Sequence, residues 1–276
     1  MKVGIVGLGL IGGSFAKAYH KAGHTVIAAD TDDSILKFAI IDGIVSEKLT
    51  DKNVGTCDLV LICTYPEAAA EYMETNGKYI GGRPVVIDCC GIKKEVVSRG
   101  MAAAKKYGFT FAGGHPMAGT QYSGYKYSKE NMFVRAPMVI VPPVYDDVAI
   151  LNRIKELLTP AGFSRITVTT ANEHDEIIAY TSQLAHVVSN AFVKSPTVKK
   201  HTGVSAGSYN DLTRVARLNP EMWAELFMAN KDNLIFEIKN LIENLNSYKD
   251  ALESSDTEKL IDLLEQGSRI KKEVDG

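Results

Sequence analysis

Gly7-Leu8-Gly9-Leu10-Ile11-Gly12 sits directly after the apolar run Lys2–Val6 and directly before a helical stretch. In such a strand–turn–helix, the first glycine permits a tight turn and the second lets the backbone approach a pyrophosphate. The third lets the helix pack closely on the strand. The helix N-terminus then presents N–H donors and a partial positive charge to phosphate. Asp30 closes the next β-rich run, where a carboxylate accepts hydrogen bonds from ribose hydroxyls and repels a 2′-phosphate. Thr31-Asp32-Asp33 offers no arginine to receive that phosphate. The segment reads as a dinucleotide site favouring NAD over NADP. The other use open to Asp30 is to cap the helix that begins near Ser34.

The surrounding pattern extends this unit. Strands are expected at Lys2–Val6, Thr25–Ala29, Leu59–Thr64, Val85–Asp88, Phe109–Ala112, Met138–Val141 and Arg165–Thr169. Helices are expected around Gly13–Lys21, Ser34–Ile40, Pro66–Asn76, Lys93–Tyr107 and Asp147–Leu158. Alternation of this kind, with strands as continuous as Leu59-Val-Leu-Ile62, predicts a doubly wound, mainly parallel sheet of the Rossmann-like α/β class. After Thr170 the texture becomes helical. Ala171–Val193 reads as one helix with Glu173, Asp175 and Glu176 complementing its dipole. Asn219-Pro220-Glu221 opens another, along which Trp223, Phe227, Asn230, Leu234, Ile238, Leu241, Leu245, Tyr248 and Leu252 form one stripe. Ser255-Asp-Thr-Glu258 fits a capping box for the last helix. The expected division is a Rossmann-like cofactor domain over 1–169 and an all-helical domain over 170–276. The long stripe has little sequence left to cover it, which points to burial against another subunit.

Composition narrows the function classes. With 31 basic and 33 acidic side chains the net charge is -2, which gives no electrostatic case for nucleic acid or an anionic membrane. Cys57, Cys63, Cys89 and Cys90 show no metal spacing, and no metal site is expected. The adjacent pair Cys89-Cys90 disfavours a disulfide and suits a reducing compartment. Lys2 followed by the apolar run Val3–Phe15 has the outline of a secretory signal. The spaced glycines and the amphipathic continuation Ala16–Lys21 favour a folded element instead. No apolar run reaches membrane-spanning length. A cytoplasmic location is expected.

The chemistry-bearing segment is Gly113-Gly114-His115-Pro116-Met117-Ala118-Gly119-Thr120. Oxidation of an alcohol by a nicotinamide needs a base for the hydroxyl proton, and an imidazole titrates near neutrality. His115 is the candidate, in a loop made adaptable by its glycines; an ordinary hydrogen-bonded loop histidine is the alternative. Ser182, His186 and Asn190 share one helical face. Arg214 is a planar, bidentate donor suited to carboxylates.

These segments together resemble the prephenate/arogenate (cyclohexadienyl) dehydrogenase family. The resemblance is carried by Gly7–Gly12, Asp30, Asp88-Cys-Cys-Gly-Ile-Lys93, Gly113–Thr120, Ser182 with His186, and Asp211-Leu-Thr-Arg214 leading to Trp223. It implies a Rossmann-like domain followed by a helical domain that forms a homodimer. It also implies NAD-dependent oxidative decarboxylation of prephenate to 4-hydroxyphenylpyruvate, or of arogenate to tyrosine. His115, His186 and Arg214 would be the catalytic set. Thr31, Thr64 and Gly91 would join Gly7–Gly12 and Asp30 around the cofactor. Thr120, Gln121, Ser182, His186, Gly207, Arg214 and Trp223 would surround the substrate. Gly91 departs from the family, in which many members carry a serine that orients the catalytic histidine. Gln183 and Gln121 replace a histidine and a glutamate of some members. The less negative Gln121 favours prephenate over the ammonium-bearing arogenate. Two other readings are a β-hydroxyacid-type dehydrogenase, served by a lysine such as Lys194, and a catalytically silent NAD-binding regulator.

Overall fold

The computed structural model describes residues 1–120, 122–201 and 203–275. Its first part alternates strand and helix: β1 (Lys2–Val6), α1 (Leu10–Lys21), β2 (Thr25–Ala29), α2 (Asp33–Ile41), β3 (Glu47–Lys48), β4 (Leu59–Ile62) and α3 (Pro66–Ile80). There follow β5 (Val85–Asp88), α4 (Lys94–Tyr107), β6 (Thr110–Pro116), β7 (Pro137–Val141), α5 (Val148–Leu158) and β8 (Arg165–Val168). The strands form one sheet in the order β3-β2-β1-β4-β5-β6-β7-β8. Pairing is parallel from β3 to β6, β7 runs antiparallel to β6, and β8 is parallel to β7. β4 and β5 are buried at every position because helices cover both faces of the sheet. On one face Phe15 and Tyr19 of α1 meet Phe133, Ile154 and Leu158. On the other, Met73 and Ile80 of α3 meet Val96, Phe109 and Phe111. β1 lies between β2 and β4, so the chain reverses direction across the sheet there. The C-terminal ends of β1 and β4 flank that switch point, the usual place for a ligand in such sheets.

Two expectations about the first part change. Asp30 does not cap α2; Asp32 does, accepting from the Ser34 N–H at 2.8 Å. The β6 strand does not stop at Ala112 but runs on through the histidine segment to Pro116, so His115 stands on a strand opposite Val139. Its glycines are therefore not loop hinges. A Cβ on Gly114 would lie 2.5 Å from the Asp88 carbonyl oxygen, and one on Gly113 would lie 2.5 Å from Val97. The absence of side chains lets β6 close onto β5 and α4.

Beyond β8 the chain is helical: α6 (Ala171–Ile178), a wide π turn (Ala179–Leu184), α7 (Ala185–Phe192), α8 (Gly207–Thr213), α9 (Pro220–Ala229), α10 (Lys231–Glu253) and α11 (Thr257–Asp275). α6 opens with a reciprocal capping box. The Glu173 N–H donates to Thr170 Oγ1, and the Thr170 N–H donates to the Glu173 carboxylate. The expected single helix from Asn219 is instead broken at Asn230, which leaves helical geometry and is buried. Its amide nitrogen donates to the Asp175 carbonyl at 2.8 Å and to Gln183 Oε1 at 2.9 Å. A polar residue in an apolar stripe here marks a joint between helices. The last helix is capped by Asp256, which accepts from the Lys259 N–H at 2.9 Å, rather than by Ser255. Only Leu245 and Leu252 of the stripe are exposed, and the exposed apolar side chains Ile235, Phe236 and Ile242 of α10 lie off it.

Gly114→Ala should cost about 1–3 kcal/mol in urea unfolding, because the added methyl meets fixed backbone rather than a flexible side chain.

Candidate active site

The fingerprint turn has the shape its glycines predict. Gly7 has a φ of +88°, and a Cβ on it would lie 2.8 Å from the Cys63 carbonyl oxygen. A Cβ on Gly12 would fall 1.8 Å from the Gly7 carbonyl oxygen, so α1 sits against the turn. Gly9 meets nothing within 4 Å and faces open space. It caps α1 without a side-chain hydrogen bond, and no acidic residue stands in the first turn. The leading amides around Leu10 and Ile11 therefore lack intrahelical acceptors and suit an anion. Leu8 is buried, and its N–H donates to Asp30 Oδ2 at 2.6 Å. The Asp32 N–H donates to Asp30 Oδ1 at 2.8 Å. Asp30 thus ties the turn after β1 to the end of β2. A carboxylate has about four acceptor positions, so it can still receive ribose hydroxyls. Thr64 packs against Gly7 just beyond β4, Gly91 follows β5, and Thr31 is exposed. An open glycine, an uncapped helix start and a carboxylate at the end of β2 fit a dinucleotide.

His115 is held by residues that sequence reasoning did not select. Its Nδ1 lies 2.9 Å from His174 Nε2, and His174 Nδ1 lies 2.7 Å from Asp175 Oδ1. Asp175 also accepts the Lys93 N–H at 2.7 Å and the Lys94 N–H at 2.8 Å, capping α4 from the helical part of the chain. Behind β6, the buried Lys93 ammonium pairs with the buried Asp88 carboxylate. Asp88 further accepts from the Gly114 N–H at 3.2 Å and the Cys90 N–H at 3.0 Å. Burial pushes the His115 pKa well below the ordinary imidazole value, and the neighbouring His174 and Lys93 push it the same way. His115 is accordingly a neutral imidazole at neutral pH. A Cβ on Gly91 would lie 4.0 Å from His115 Nε2 and 3.5 Å from Leu226, so Nε2 lies on the side of Gly91. The sequence did contain a signal for the missed pair. His174 and Asp175 recur with Ile178 and Ala179 at helical spacing, and all four are buried. Reading Asp175 only as a dipole-complementing acid hid that.

The helical part supplies the opposite wall. His186 Nδ1 donates to the Ser182 carbonyl at 2.7 Å, which leaves Nε2 free, and its ring stacks on Trp223 with centroids 4.0 Å apart. Its pKa is lowered by burial, and the Arg214 guanidinium lowers it further. His186, Trp223 and Arg214 are thus brought together, with Arg214 exposed at the end of α8. Asn190 donates to the Ala216 carbonyl at 3.0 Å and anchors the segment after Arg214. Gln183 is buried and donates to the Leu226 carbonyl at 3.1 Å, so it fastens α9 rather than lining a pocket. Thr120 is exposed, its hydroxyl bridged to Tyr122, and Gly207 is exposed at the start of α8. Gln121 lies outside the described residues. Lys194, the lysine a β-hydroxyacid chemistry would use, is exposed beyond the end of α7.

This geometry agrees with the comparisons. The profile of the prephenate dehydrogenase nucleotide-binding domain matches residues 15–167, and that of the prephenate dehydrogenase dimerization domain matches residues 170–266. The chain belongs to the prephenate dehydrogenase family. A prephenate dehydrogenase of Bacillus subtilis is 28% identical over 93% of this chain and 71% of its own length. The prephenate dehydrogenase of A. aeolicus, solved with hydroxyphenyl propionate and NAD+, superposes with a TM-score of 0.84. It is 27% identical, over 99% of this chain and 98% of that one. An arogenate dehydrogenase of Synechocystis gives a TM-score of 0.80 at 28% identity, over 99% of this chain and all of that one.

Within this family member, Asp175 serves α4, His174 and Asn230 at once. Asp175→Ala should therefore lower stability by about 3–5 kcal/mol in chemical denaturation, as expected for removing one partner from a buried charged network. Asp175→Asn keeps an acceptor and should cost less.

Proposed function

We propose that the protein oxidises prephenate with NAD, losing carbon dioxide to give 4-hydroxyphenylpyruvate. One observation carries this reading: His115, neutral and held at Nδ1 by His174, leaves Nε2 on the side of Gly91, the glycine that follows β5. NAD supplies the acceptor for the hydride that leaves ring carbon C4. His115 Nε2 takes the C4 hydroxyl proton as the carbonyl forms. The ring carboxylate at C1 then leaves as carbon dioxide, its bonding electrons pass through the ring to the C4 oxygen, which takes the proton back from His115, and aromatisation makes the step effectively irreversible. Arg214 and His186 bind the carboxylates, with Ser182, Gly207, Thr120 and Gln121 completing the surroundings and Trp223 walling the ring. Gly7–Gly12 and Asp30 with Thr31, Thr64 and Gly91 hold the cofactor.

The division falls between 169 and 170, where β8 gives way to the capping box at Thr170. The exposed apolar side chains of α10, Ile235, Phe236, Ile242, Leu245 and Leu252, support a homodimer through the helical domain, since clustered exposed apolar residues mark association surfaces. Among the described residues no helix is long and apolar enough to cross a membrane, and a cytoplasmic site of action accords with the four free cysteines. The likeness to an arogenate dehydrogenase favours arogenate as the second substrate to test.

Prephenate or arogenate, each with NAD or NADP, gives four pairs whose reduced-nicotinamide absorbance ranks the substrates; prephenate with NAD should be fastest. His115→Asn should retain NAD binding and lose about 10²–10⁴-fold in kcat. Arg214→Ala should raise KM by about 10–100-fold, the worth of a charge-assisted contact; an unchanged KM would remove it from the site. Because the depressed pKa keeps His115 unprotonated, kcat/KM should hold through neutrality and fall only below the ordinary imidazole value of 6.5. An acid limb centred above that value would contradict the assignment.

A further inference from the structure

A base whose neighbours all oppose its protonation is a poor place to leave a positive charge. His115 sits where burial, His174 and Lys93 all oppose its protonation, yet its role requires it to accept a proton at Nε2. The groups behind it are arranged to relieve that conflict. His174 is 3% exposed, so no solvent shell competes for its ring nitrogens. Asp175 is an acceptor toward three N–H donors: the Lys93 and Lys94 amides and His174 Nδ1. In the neutral pair of imidazoles, this leaves one self-consistent arrangement of protons. His174 carries its proton on Nδ1 and donates to Asp175. Its bare Nε2 accepts from His115 Nδ1–H at 2.9 Å, and His115 Nε2 is left bare on the side of Gly91.

We propose that His115, His174 and Asp175 form a two-imidazole proton relay, with His174 as the positioning residue and the store for the proton's charge. This rests on the reading of His115 as the base for the C4 hydroxyl. As the hydroxyl O–H bond breaks and an Nε2–H bond forms on His115, the Nδ1–H proton of His115 moves to His174 Nε2. His115 stays neutral with its proton exchanged from one nitrogen to the other. His174 becomes the imidazolium, 2.7 Å from a carboxylate, and keeps its Nδ1–H bond to Asp175. Asp175 keeps its two backbone amide donors, from Lys93 and Lys94, throughout. When loss of carbon dioxide turns the C4 carbonyl into a phenolate, the reverse shift returns the proton from His115 Nε2 to that oxygen, and the phenol leaves with the pair neutral again.

The charged and titratable groups against the relay are few. Lys93 approaches His115 from the segment before α4 and is paired with Asp88, while Asp175 is the partner of His174. Gly91 and Leu226, on the Nε2 side, carry no charge. Of these, only Asp175 favours a proton on the pair, and it acts through His174. The relay therefore makes His115 a better base than its own environment allows. It also performs from Nδ1 the orienting that a serine at position 91 would perform from Nε2.

His174→Gln tests this, since a carboxamide oxygen can accept from His115 Nδ1–H but cannot take the proton. With thermal unfolding and NAD affinity near wild type, kcat for prephenate should fall about 10–100-fold, while KM stays within about twofold because His174 touches no substrate. The acid limb of kcat should move to lower pH, because protonation must then rest on His115 alone. In single turnovers of the unmutated enzyme, the rate plotted against deuterium fraction should be curved, as two protons move; in His174→Gln it should be linear. An unchanged plateau and acid limb in the variant would overturn the relay while leaving His115 as the base. A linear plot for the unmutated enzyme would overturn it too, even if the variant folds poorly. If the unmutated enzyme oxidises neither prephenate nor arogenate, the underlying function fails and the relay with it.

Discussion

Asp175 is a buried carboxylate 1% exposed, and burying a charge is costly unless hydrogen bonds compensate for the lost water. Here compensation comes from three directions at once. The Lys93 and Lys94 amides are leading donors of α4 that would otherwise lack partners, and a negative charge at that helix end is also favoured by the dipole. His174 provides the third donor, and the Asp175 backbone carbonyl fixes Asn230 at the break between α9 and α10. One residue of the helical domain therefore completes a helix of the sheet domain, orients the histidine pair and sets where α9 ends. The position of Leu226 against Gly91 follows from the same joint, because Gln183 holds the Leu226 carbonyl and receives Asn230.

Asp88 plays the matching part from the sheet side. It ends β5 in a fully buried position and divides its oxygens between the Gly114 amide, the Cys90 amide and the Lys93 ammonium. His115 follows Gly114 directly, so the base is fixed through its backbone by one aspartate and through its ring by the other. Both anchors meet at Lys93, whose side chain serves Asp88 and whose amide serves Asp175. A cation placed there stabilises the two carboxylates and keeps His115 unprotonated, which is the state a base needs.

The parts legible in the sequence were those governed by local rules. Continuous apolar runs located the sheet strands within a residue or two, except the two-residue β3 and the far end of β6, which runs four residues past Ala112. The fingerprint located the turn, and Asn219-Pro220 located the start of α9. What stayed hidden depended on neighbours distant in the chain. The two glycines before His115 read as loop hinges because their spacing is flexible in isolation; the Asp88 carbonyl that excludes a Cβ at Gly114 comes from another strand. Asn230 read as one polar residue in an apolar stripe, since its partners are Asp175 and Gln183 from a different helix. Asp175 read only as one of the acids that complement a helix dipole, and His174 drew no reading of its own. Their burial against α4 is a tertiary event.

The open space at Gly91 changes meaning once the ring is seen to be held from behind. A catalytic imidazole needs one nitrogen committed to an orienting partner and the other free for the reacting proton. A hydroxyl beside Nε2 would orient the ring but would also share the lone pair that must receive the substrate proton. In this chain the orienting bond is at Nδ1, supplied by His174, and the nearest atoms to a side chain at Gly91 are the Leu226 methyls and Nε2 itself. Gly91 offers Nε2 no side-chain group that competes for its lone pair. The substrate hydroxyl is then the partner for which that nitrogen is reserved, and the absent serine costs the site less than the sequence alone suggested.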